Sequence, residues 1–220
     1  MKSLKIKIYQ ETVCYKKPFA FKVTETYPLP PYSTIIGMLH NVMGVRSGEY
    51  IPMDISVQGS YEEIFNTYNT TMFYKKKNVT SMPMNVHLLL GVNLIIHVLA
   101  EENILLQIID GFKDSKESFT LGRREDLARL DSIKLVNLEK RYISKFSGEE
   151  YRLKNNAYIP QKYNYRVNGI TYMLNKKYTT LNELRNWEKV EAIYVEKGEL
   201  IDQEYLIDDD IIEQDIVFLG

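Results

Sequence analysis

The chain has 220 residues, of which 45% are hydrophobic and 26% are charged. This composition is typical of an ordinary globular protein with one or two small domains, and with 11 Gly and 7 Pro it is neither collagen-like nor of low complexity. The most apolar stretch, residues 86–100, is shorter than the roughly 20 residues that cross a bilayer and includes His87 and His97, so we expect no membrane segment.

Charge is distributed unevenly along the chain, although the formal net charge is only −1. All 28 basic residues precede Gly198, whereas eight of the 29 acidic residues follow it, so residues 1–197 carry a net charge of +7. A basic body favours a polyanionic partner, and a solvated surface with an exposed, solubilising acidic end is the alternative. The only cysteine is Cys14 and no apolar leader precedes Leu4, so we expect a cytoplasmic protein without disulfides.

The first predicted elements are a strand and a helix. Residues 4–9 alternate apolar and polar side chains, which predicts a strand with Lys5 and Lys7 facing outward. After a proline-rich approach, Ser33 is a candidate helix cap, and apolar residues recur at three- and four-residue spacings over residues 35–43. Gly44 is a plausible end of this helix.

The middle of the chain continues an alternation of strands and helices. We predict strands at residues 55–57, 88–99 and 133–138, and a helix over residues 104–112. Residues 61–85 are polar and aromatic and too long for an ordinary connection, which predicts a projecting loop or hairpin. The order strand, helix, strand, insertion, strand, helix, strand is that of a ferredoxin-like sheet, an α+β fold.

The last third is predicted to be a small antiparallel β region. Residues 163–167 and 170–174 flank the pair Asn168 and Gly169, which is a strong hairpin signal. Residues 190–195 and the apolar residues near 216–218 predict further strands. We therefore divide the chain into a ferredoxin-like domain over residues 1–145, with an insertion at about 60–86, and a C-terminal antiparallel region with the acidic tail over residues 146–220.

A glycine beside two arginines, Gly122, Arg123 and Arg124, follows the second predicted helix. Glycine allows a ligand to approach the main chain, and the arginine fork matches phosphate oxygens. This segment therefore suits a phosphate backbone, and an ordinary turn with solvated charges is the alternative.

Three segments of the chain resemble the RAMP-type CRISPR-associated proteins of the fifth Cas family. They are Lys-Pro-Phe at residues 17–19 with Pro-Tyr-Ser-Thr-Ile-Ile-Gly-Met-Leu at residues 31–39, Phe-Thr-Leu-Gly-Arg-Arg-Glu at residues 119–125, and Asp-Ile-Val-Phe-Leu-Gly at residues 215–220. The resemblance implies a ferredoxin-like domain of the RRM type with a projecting thumb hairpin. It also implies a subunit of a type I Cascade complex, of subtype I-B, that acts in antiviral defence.

The family is characterised by binding of the 5′ handle of CRISPR RNA (crRNA). The resemblance implies contacts with the backbone and large subunits of the complex and, through the complex, with target DNA. It places the glycine-arginine segment at the handle and the lysines in the thumb. Independently of the resemblance, Lys22, Tyr32 and Ser33 lie at the entry to the first helix, whose N-terminal amides form a natural anion site, and capping alone is the alternative for Ser33. The candidate RNA-binding residues are Lys22, Tyr32, Ser33, Lys75, Lys76, Lys77, Gly122, Arg123 and Arg124.

Two other functions stay open at this point. One branch of the family resembles a metal-independent endoribonuclease that uses Tyr, Lys and an adjacent His, but no histidine here follows a lysine. His40, with Tyr32 and Lys22 as partners, is the only nuclease candidate, and we expect no catalytic residues. A protein-interaction module that uses the acidic tail is the third possibility, with residues 208–210 docking on a basic face of a neighbouring subunit. No metal-ligand spacing or nucleotide motif is present, so we expect no cofactor.

Overall fold

The computed structural model describes residues 1–19, 23–46, 48–75, 78–141, 151–182, 184–201 and 203–220. No described helix is long and apolar enough to span a membrane. The helices are α1 (Tyr32–Val42) and α2 (Glu102–Asp114), with one 3₁₀ turn at Gln161–Tyr163. The strands are β1 (Lys2–Val13), β2 (Val23–Thr24), β3 (Asp54–Ser60), β4 (Glu63–Tyr74), β5 (Val79–Leu99), β6 (Phe119–Thr120), β7 (Leu127–Arg141), β8 (Tyr151–Arg152), β9 (Asn156–Pro160), β10 (Ile170–Leu181), β11 (Leu184–Val195), β12 (Leu200–Ile201), β13 (Tyr205–Asp208) and β14 (Ile216–Val217).

Four long strands form the centre of the protein in the spatial order β3-β5-β1-β7, and each pairs antiparallel with its neighbours. Helix α1 follows β1 in the chain, and α2 follows β5. Both helices pack on one face of this sheet, where their apolar residues meet those of β1. The shared core includes Leu4, Ile6, Ile8, Ile35, Leu39, Leu105 and Ile108. The predicted α+β class and both predicted helices are therefore confirmed.

The C-terminal third extends the same sheet at both edges. Strands β9, β11 and β10 continue it beyond β3, and β13 and β14 continue it beyond β7. Only β8 and β12 form a separate two-stranded sheet among the described residues. The predicted boundary at residues 145 and 146 lies outside the described residues.

A long hairpin projects from the sheet, as predicted for the middle of the chain. Strand β4 pairs with the first half of β5 from Glu63 opposite Leu90 to Tyr74 opposite Val79. Tyr68, with 76% of its surface exposed, and Tyr74, with 78%, lie on this hairpin. We call residues 63–90 the thumb.

The prediction of a hairpin turn at Asn168 and Gly169 is wrong. Strand β10 begins at Ile170 and pairs with β11, from Ile170 opposite Tyr194 to Leu181 opposite Leu184, so Asn168 and Gly169 do not join two paired strands. The apolar residues before Asn168 do not pair with β10. Tyr163 and Tyr165 stack with ring centroids 5.6 Å apart, and Tyr165 packs on Phe218 of the C-terminal segment at 5.8 Å. This long-range aromatic packing prevails over the local turn signal.

The outward orientation predicted for Lys5 is also wrong. Its side chain is fully buried, because the C-terminal segment folds back over this face of the sheet. The Lys5 Nζ lies 2.7 Å from Asp208 Oδ2, 2.6 Å from Asp215 Oδ2 and 3.4 Å from Asp210 Oδ2. Burial disfavours the charged ammonium, but hydrogen bonds to Asp208 and Asp215 raise the pKa of Lys5 above its ordinary value. We call these four residues the buried ion cluster.

The acidic tail is therefore not exposed throughout. Three of its carboxylates, those of Asp208, Asp210 and Asp215, are each less than 10% exposed. His97 Nε2 lies 2.8 Å from Asp208 Oδ2, and burial lowers the pKa of His97. Burial alone would raise the pKa of Asp208, but hydrogen bonds from His97 and Lys5 lower it to about 2. The tail uses these carboxylates within its own chain, as counter-charges to β1.

The ion cluster closes the sheet face opposite the helices. One polar row runs across the four central strands on this face. It consists of Ser56 on β3, His97 on β5, Lys5 on β1 and Lys134 on β7, each paired with the next. The C-terminal segment satisfies several of them: Lys134 pairs with Asp210, and the backbone N–H of Phe218 donates to Ser56 Oγ at 3.0 Å. A ligand therefore meets the C-terminal segment, and not the sheet itself, on this side.

Replacing Lys5 by Ala should lower the free energy of unfolding by about 3–5 kcal/mol, because it leaves buried carboxylates without their counter-charge. Lys5→Met, which keeps most of the side-chain volume, should also destabilise. Lys2→Ala is the control, since Lys2 pairs with Glu102 on the surface and exposed pairs contribute less than about 1 kcal/mol. Urea denaturation measures all three, and wild-type stability in Lys5→Met would contradict the role given to the charge.

Candidate functional site

The glycine-arginine segment forms a tight turn between β6 and β7. Gly122 has φ +118°, a conformation that side-chain-bearing residues rarely adopt. A Cβ at this position would lie 2.8 Å from Asp126 Oδ2 and 2.9 Å from Val13 Cγ2. The turn therefore requires glycine for both its backbone conformation and its close packing on β1.

Asp126 organises the turn from within. Its buried carboxylate accepts hydrogen bonds from the backbone N–H groups of Arg123, at 2.8 Å, and Cys14, at 3.1 Å. Gln10 supports the same loop by donating to the Leu121 carbonyl at 2.9 Å. These bonds tie the turn to β1, so its conformation is fixed before any ligand binds.

The two arginines of the turn have different environments. Arg123 donates from Nη2 to Asp126 Oδ1 at 2.7 Å, and its Nη1 lies 3.1 Å from Glu125 Oε1. The hydrogen bond with Asp126 raises the pKa of Arg123. Arg124 is exposed, and no carboxylate among the described residues pairs with it. Arg123 therefore stabilises the turn, whereas Arg124 presents an uncompensated charge to solvent.

A groove runs along the outer face of α1 and connects this turn to the β10–β11 hairpin. One part, of about 380 Å³, is lined by Ser33, Gly37 and Asn41 of α1, Gly122 of the turn, and Trp187 of β11. The three α1 residues are spaced four apart and so share one face of the helix. The structure thus brings two predicted site residues, Ser33 and Gly122, into one surface.

The groove continues toward the loop after α1. This second part has a volume of about 600 Å³ and shares Ser33, Gly37, Asn41 and Trp187 with the first. Its further lining includes Arg46, Tyr50 and Lys177. We call the two parts together the α1 groove. Its lining combines aromatic rings, small polar side chains and cations.

The start of α1 differs from the prediction. The helix begins at Tyr32, and its N-cap residue is Pro31, which makes no side-chain hydrogen bond. Ser33 lies inside the first turn, so the prediction that Ser33 caps the helix is wrong. Tyr32 is fully buried, packs against Tyr158, and has its ring beside Gly220, where any Cβ would overlap it. Its side chain does not reach the groove surface in this conformation. Lys22 lies outside the described residues.

His40, the nuclease candidate, lines the wider part of the groove. Its ring packs edge-on against Tyr50 with centroids 5.7 Å apart. Burial lowers the pKa of His40, partly offset by a long contact with the Ile51 carbonyl, so the imidazole is neutral near pH 7. Tyr32 is the acid–base partner predicted for His40. Its hydroxyl is enclosed within the protein, and burial raises the pKa of Tyr32.

Lys75, the one thumb lysine among the described residues of the predicted run, does not join the groove. Lys75 is exposed at the tip of the thumb, where its backbone pairs with Asn78. Gly122 packs on Val13, which pairs with Leu89 at the base of the thumb. The ten residues of β5 between tip and base extend roughly 33 Å. Lys76 and Lys77 lie outside the described residues.

The β10–β11 hairpin supplies groove residues that the sequence analysis did not single out. Trp187 and Tyr178 pair across its strands, and Lys177 adds positive charge. Arg46, from the loop after α1, was not singled out either and adds a second cation. The sequence contained one signal for this site: the chain's only Trp lies between basic residues. It was missed because this stretch lies between the two strands predicted at residues 170–174 and 190–195. Within the described residues, no group of three or more His, Cys, Asp or Glu could hold a metal ion.

A family model described as CRISPR-associated protein (Cas_Cas5) matches residues 3–162, well over half of the chain. The chain belongs to this family. The match covers α1, the thumb, α2 and the glycine-arginine turn, and it ends within the 3₁₀ turn. Comparison with curated proteins gave no match. The family resemblance drawn from the three sequence segments is thereby confirmed.

Solved structures show the same fold at low sequence identity. A chain of a CRISPR RNA-guided surveillance complex superposes with a TM-score of 0.62 at 15% identity, covering 90% of this chain and 91% of that chain. A CRISPR protein from Archaeoglobus fulgidus gives a TM-score of 0.52 at 8% identity with full coverage of both chains. A chain of the Type III-B Cmr-beta complex bound to cognate target RNA and AMPPnP gives 0.51 at 13% identity, covering 90% and 86%.

The different environments of the two arginines predict different effects on stability. Arg123→Ala should lower the free energy of unfolding by about 1.5–3 kcal/mol, because buried Asp126 loses a charged hydrogen-bond donor. Arg124→Ala should change it by less than about 0.5 kcal/mol. Urea denaturation of both variants measures the difference, and equal losses would show that Arg124 is also held within the fold.

Proposed function

We propose that this protein is a non-catalytic RNA-binding subunit of a type I CRISPR surveillance complex that holds the 5′ handle of crRNA. The observation that carries the proposal is the α1 groove, which joins Ser33, Gly122 and Trp187 beside the uncompensated Arg124. Membership of the CRISPR-associated family supports a role in guide-RNA handling. The chain as a whole carries a net charge of −1, so the attraction to phosphates in this proposal is local and comes from exposed cations such as Arg46 and Arg124.

The frame of this subunit is a ferredoxin-like domain. The chain order β1-α1-β3-β5-α2-β7 and the spatial order β3-β5-β1-β7 support it, because this is the arrangement of a split βαβ sheet. RRM domains bind single-stranded RNA on the open face of such a sheet. Here the C-terminal segment covers that face, so the RNA site we propose lies at the helices and the glycine-arginine turn.

The thumb is a separate contact surface in this proposal. Its exposed aromatic residues can stack on unpaired bases, and Lys75 at its tip adds positive charge. Because the tip lies far from the α1 groove, the thumb reaches the guide strand and the neighbouring backbone subunit while the groove holds the handle. The large subunit and target DNA are met through the assembled complex.

The separation of His40 from Tyr32 supports a non-catalytic role. General acid–base cleavage requires a donor and an acceptor within reach of one phosphate. His40 lines the groove, whereas the hydroxyl of Tyr32 is buried beneath Gly220 on the core side of α1. The two groups therefore face different environments and do not address one scissile bond in this conformation.

Binding of handle RNA should depend on Arg124. In a filter-binding assay with the repeat-derived handle, Arg124→Ala should weaken binding and reduce the slope of log affinity against log salt by about 0.7, the value for one phosphate contact on a single strand. Arg141→Ala is the matched control, because Arg141 lies at the opposite end of β7, roughly 45 Å away. Equal effects of the two variants, or none, would argue against an RNA site at the turn.

Labelled precursor repeat RNA should stay intact when it is incubated with the purified protein in EDTA. The physical reason is that Tyr32, the acid–base partner predicted for His40, has its hydroxyl buried on the core side of α1 and does not reach the groove. Gel electrophoresis of the RNA over several hours measures cleavage, and His40→Ala is the control. Specific cutting within the repeat that disappears in His40→Ala would assign the protein to the endoribonucleases instead.

A further inference from the structure

The outer part of the β10–β11 hairpin carries an aromatic pair that the core does not use. Tyr178 and Trp187 lie opposite each other across the strands, with ring centroids 5.0 Å apart and an interplanar angle of 59°. The guanidinium of Arg185 lies 4.6 Å from the centroid of the Tyr178 ring. Both rings are only partly buried, although aromatic side chains of this size gain most from complete burial. Partial burial leaves ring surface open to a ligand.

Trp187 occupies the junction of the α1 groove. It lines both parts of the groove, and α1 forms the opposite wall with Ser33, Gly37 and Asn41. Gly37 is open on this side, since a Cβ built there would have no atom within 4 Å. The two volumes, about 600 Å³ and about 380 Å³, lie within the range of small-molecule sites. A flat ring can therefore enter between Trp187 and the helix.

The charge around this space favours an anionic ligand with a flat ring. Lys177 is partly neutralised by Glu188 at 2.9 Å, and Lys176 by Asp54 at 2.6 Å. Arg46 lines the groove and is exposed, and no carboxylate among the described residues pairs with it. Together with Arg124 beyond Gly122, it places an uncompensated positive charge at each end of the groove. A cation at each end suits an anionic chain that runs through the groove.

We propose that Trp187 is the stacking platform for one unpaired base of single-stranded RNA in the α1 groove, with Arg46 and Arg124 at the flanking phosphates. The proposal rests on the function proposed above and names how the site holds its ligand. A peptide partner would find few aliphatic side chains in this polar and aromatic lining. Base stacking on Trp187 is tolerant of base identity, because every base presents a flat face.

The chain's single tryptophan makes the test direct, because intrinsic tryptophan emission reports Trp187 alone. The full-length protein is titrated with an eight-nucleotide oligoadenylate and, separately, with an oligomer of equal length that has the same ribose-phosphate backbone but no bases. Fluorescence anisotropy of end-labelled oligomers measures binding of each independently. Oligoadenylate should quench the emission in a saturable manner, whereas the abasic oligomer should bind without quenching.

Variants then measure the contribution of the ring. Trp187→Ala should weaken oligoadenylate binding about 5- to 150-fold, the range for loss of one stacked base, and should leave binding of the abasic oligomer unchanged. Trp187→Phe, which keeps an aromatic face, should lose less. Leu184→Ala is the matched control, because Leu184 is exposed on the same hairpin and does not line the groove. Circular dichroism shows whether each variant keeps its sheet.

Two results would overturn the inference, and they are distinguishable. If oligoadenylate binds while the emission of wild-type Trp187 stays unchanged, the groove does not stack a base. The aromatic hairpin would then serve a protein contact, and the proposed RNA-binding function would stand. If the wild-type protein binds neither oligoadenylate nor handle RNA, both proposals fail. The wild-type emission needs no variant, so misfolding of Trp187→Ala does not remove the test.

Discussion

The structure depends on the buried ammonium of Lys5. A charge placed in the middle of a central strand is tolerable only if carboxylates come to it, and the chain supplies Asp208, Asp210 and Asp215 from its last 13 residues. The attraction therefore determines where the C-terminal segment lies, with β13 paired to β7 and Phe218 held at β3. One side chain on β1 thus links the first strand of the sheet to the last.

This closure decides which surfaces remain for a ligand. The sheet face opposite the helices is occupied by the protein's own C-terminal residues, whose apolar side chains join the cores around Ile216, Phe218 and Leu219. On the other side, α1 packs into the core with one face only, and its small polar residues stay open. The turn at Gly122 and the β10–β11 hairpin rise on either side of that face and turn it into a groove.

The site combines a fixed support with exposed groups. The Asp126 carboxylate fixes the loop by accepting hydrogen bonds from the Arg123 side chain, from the Arg123 backbone N–H and from the backbone N–H of Cys14, directly after β1. Because Arg123 satisfies that buried carboxylate, Arg124 is left to face solvent from a rigid base. A phosphate contact made by such a group requires little reordering of the chain, which reduces the entropic cost of binding.

The sequence by itself determined the features that arise from near neighbours. Apolar spacing predicted both helices and the central strands, and three motifs, one of them around Gly122, predicted the family. Only the tertiary structure decided that Lys5 points into a buried cluster, that Tyr163 and Tyr165 pack on Phe218 instead of forming a hairpin at Gly169, and that Ser33, Gly122 and Trp187 share one groove. Local patterns report the backbone preferences of adjacent residues. The partner of a charge or a ring can lie more than 200 positions away, as Asp208 does from Lys5, and chain folding alone brings it near.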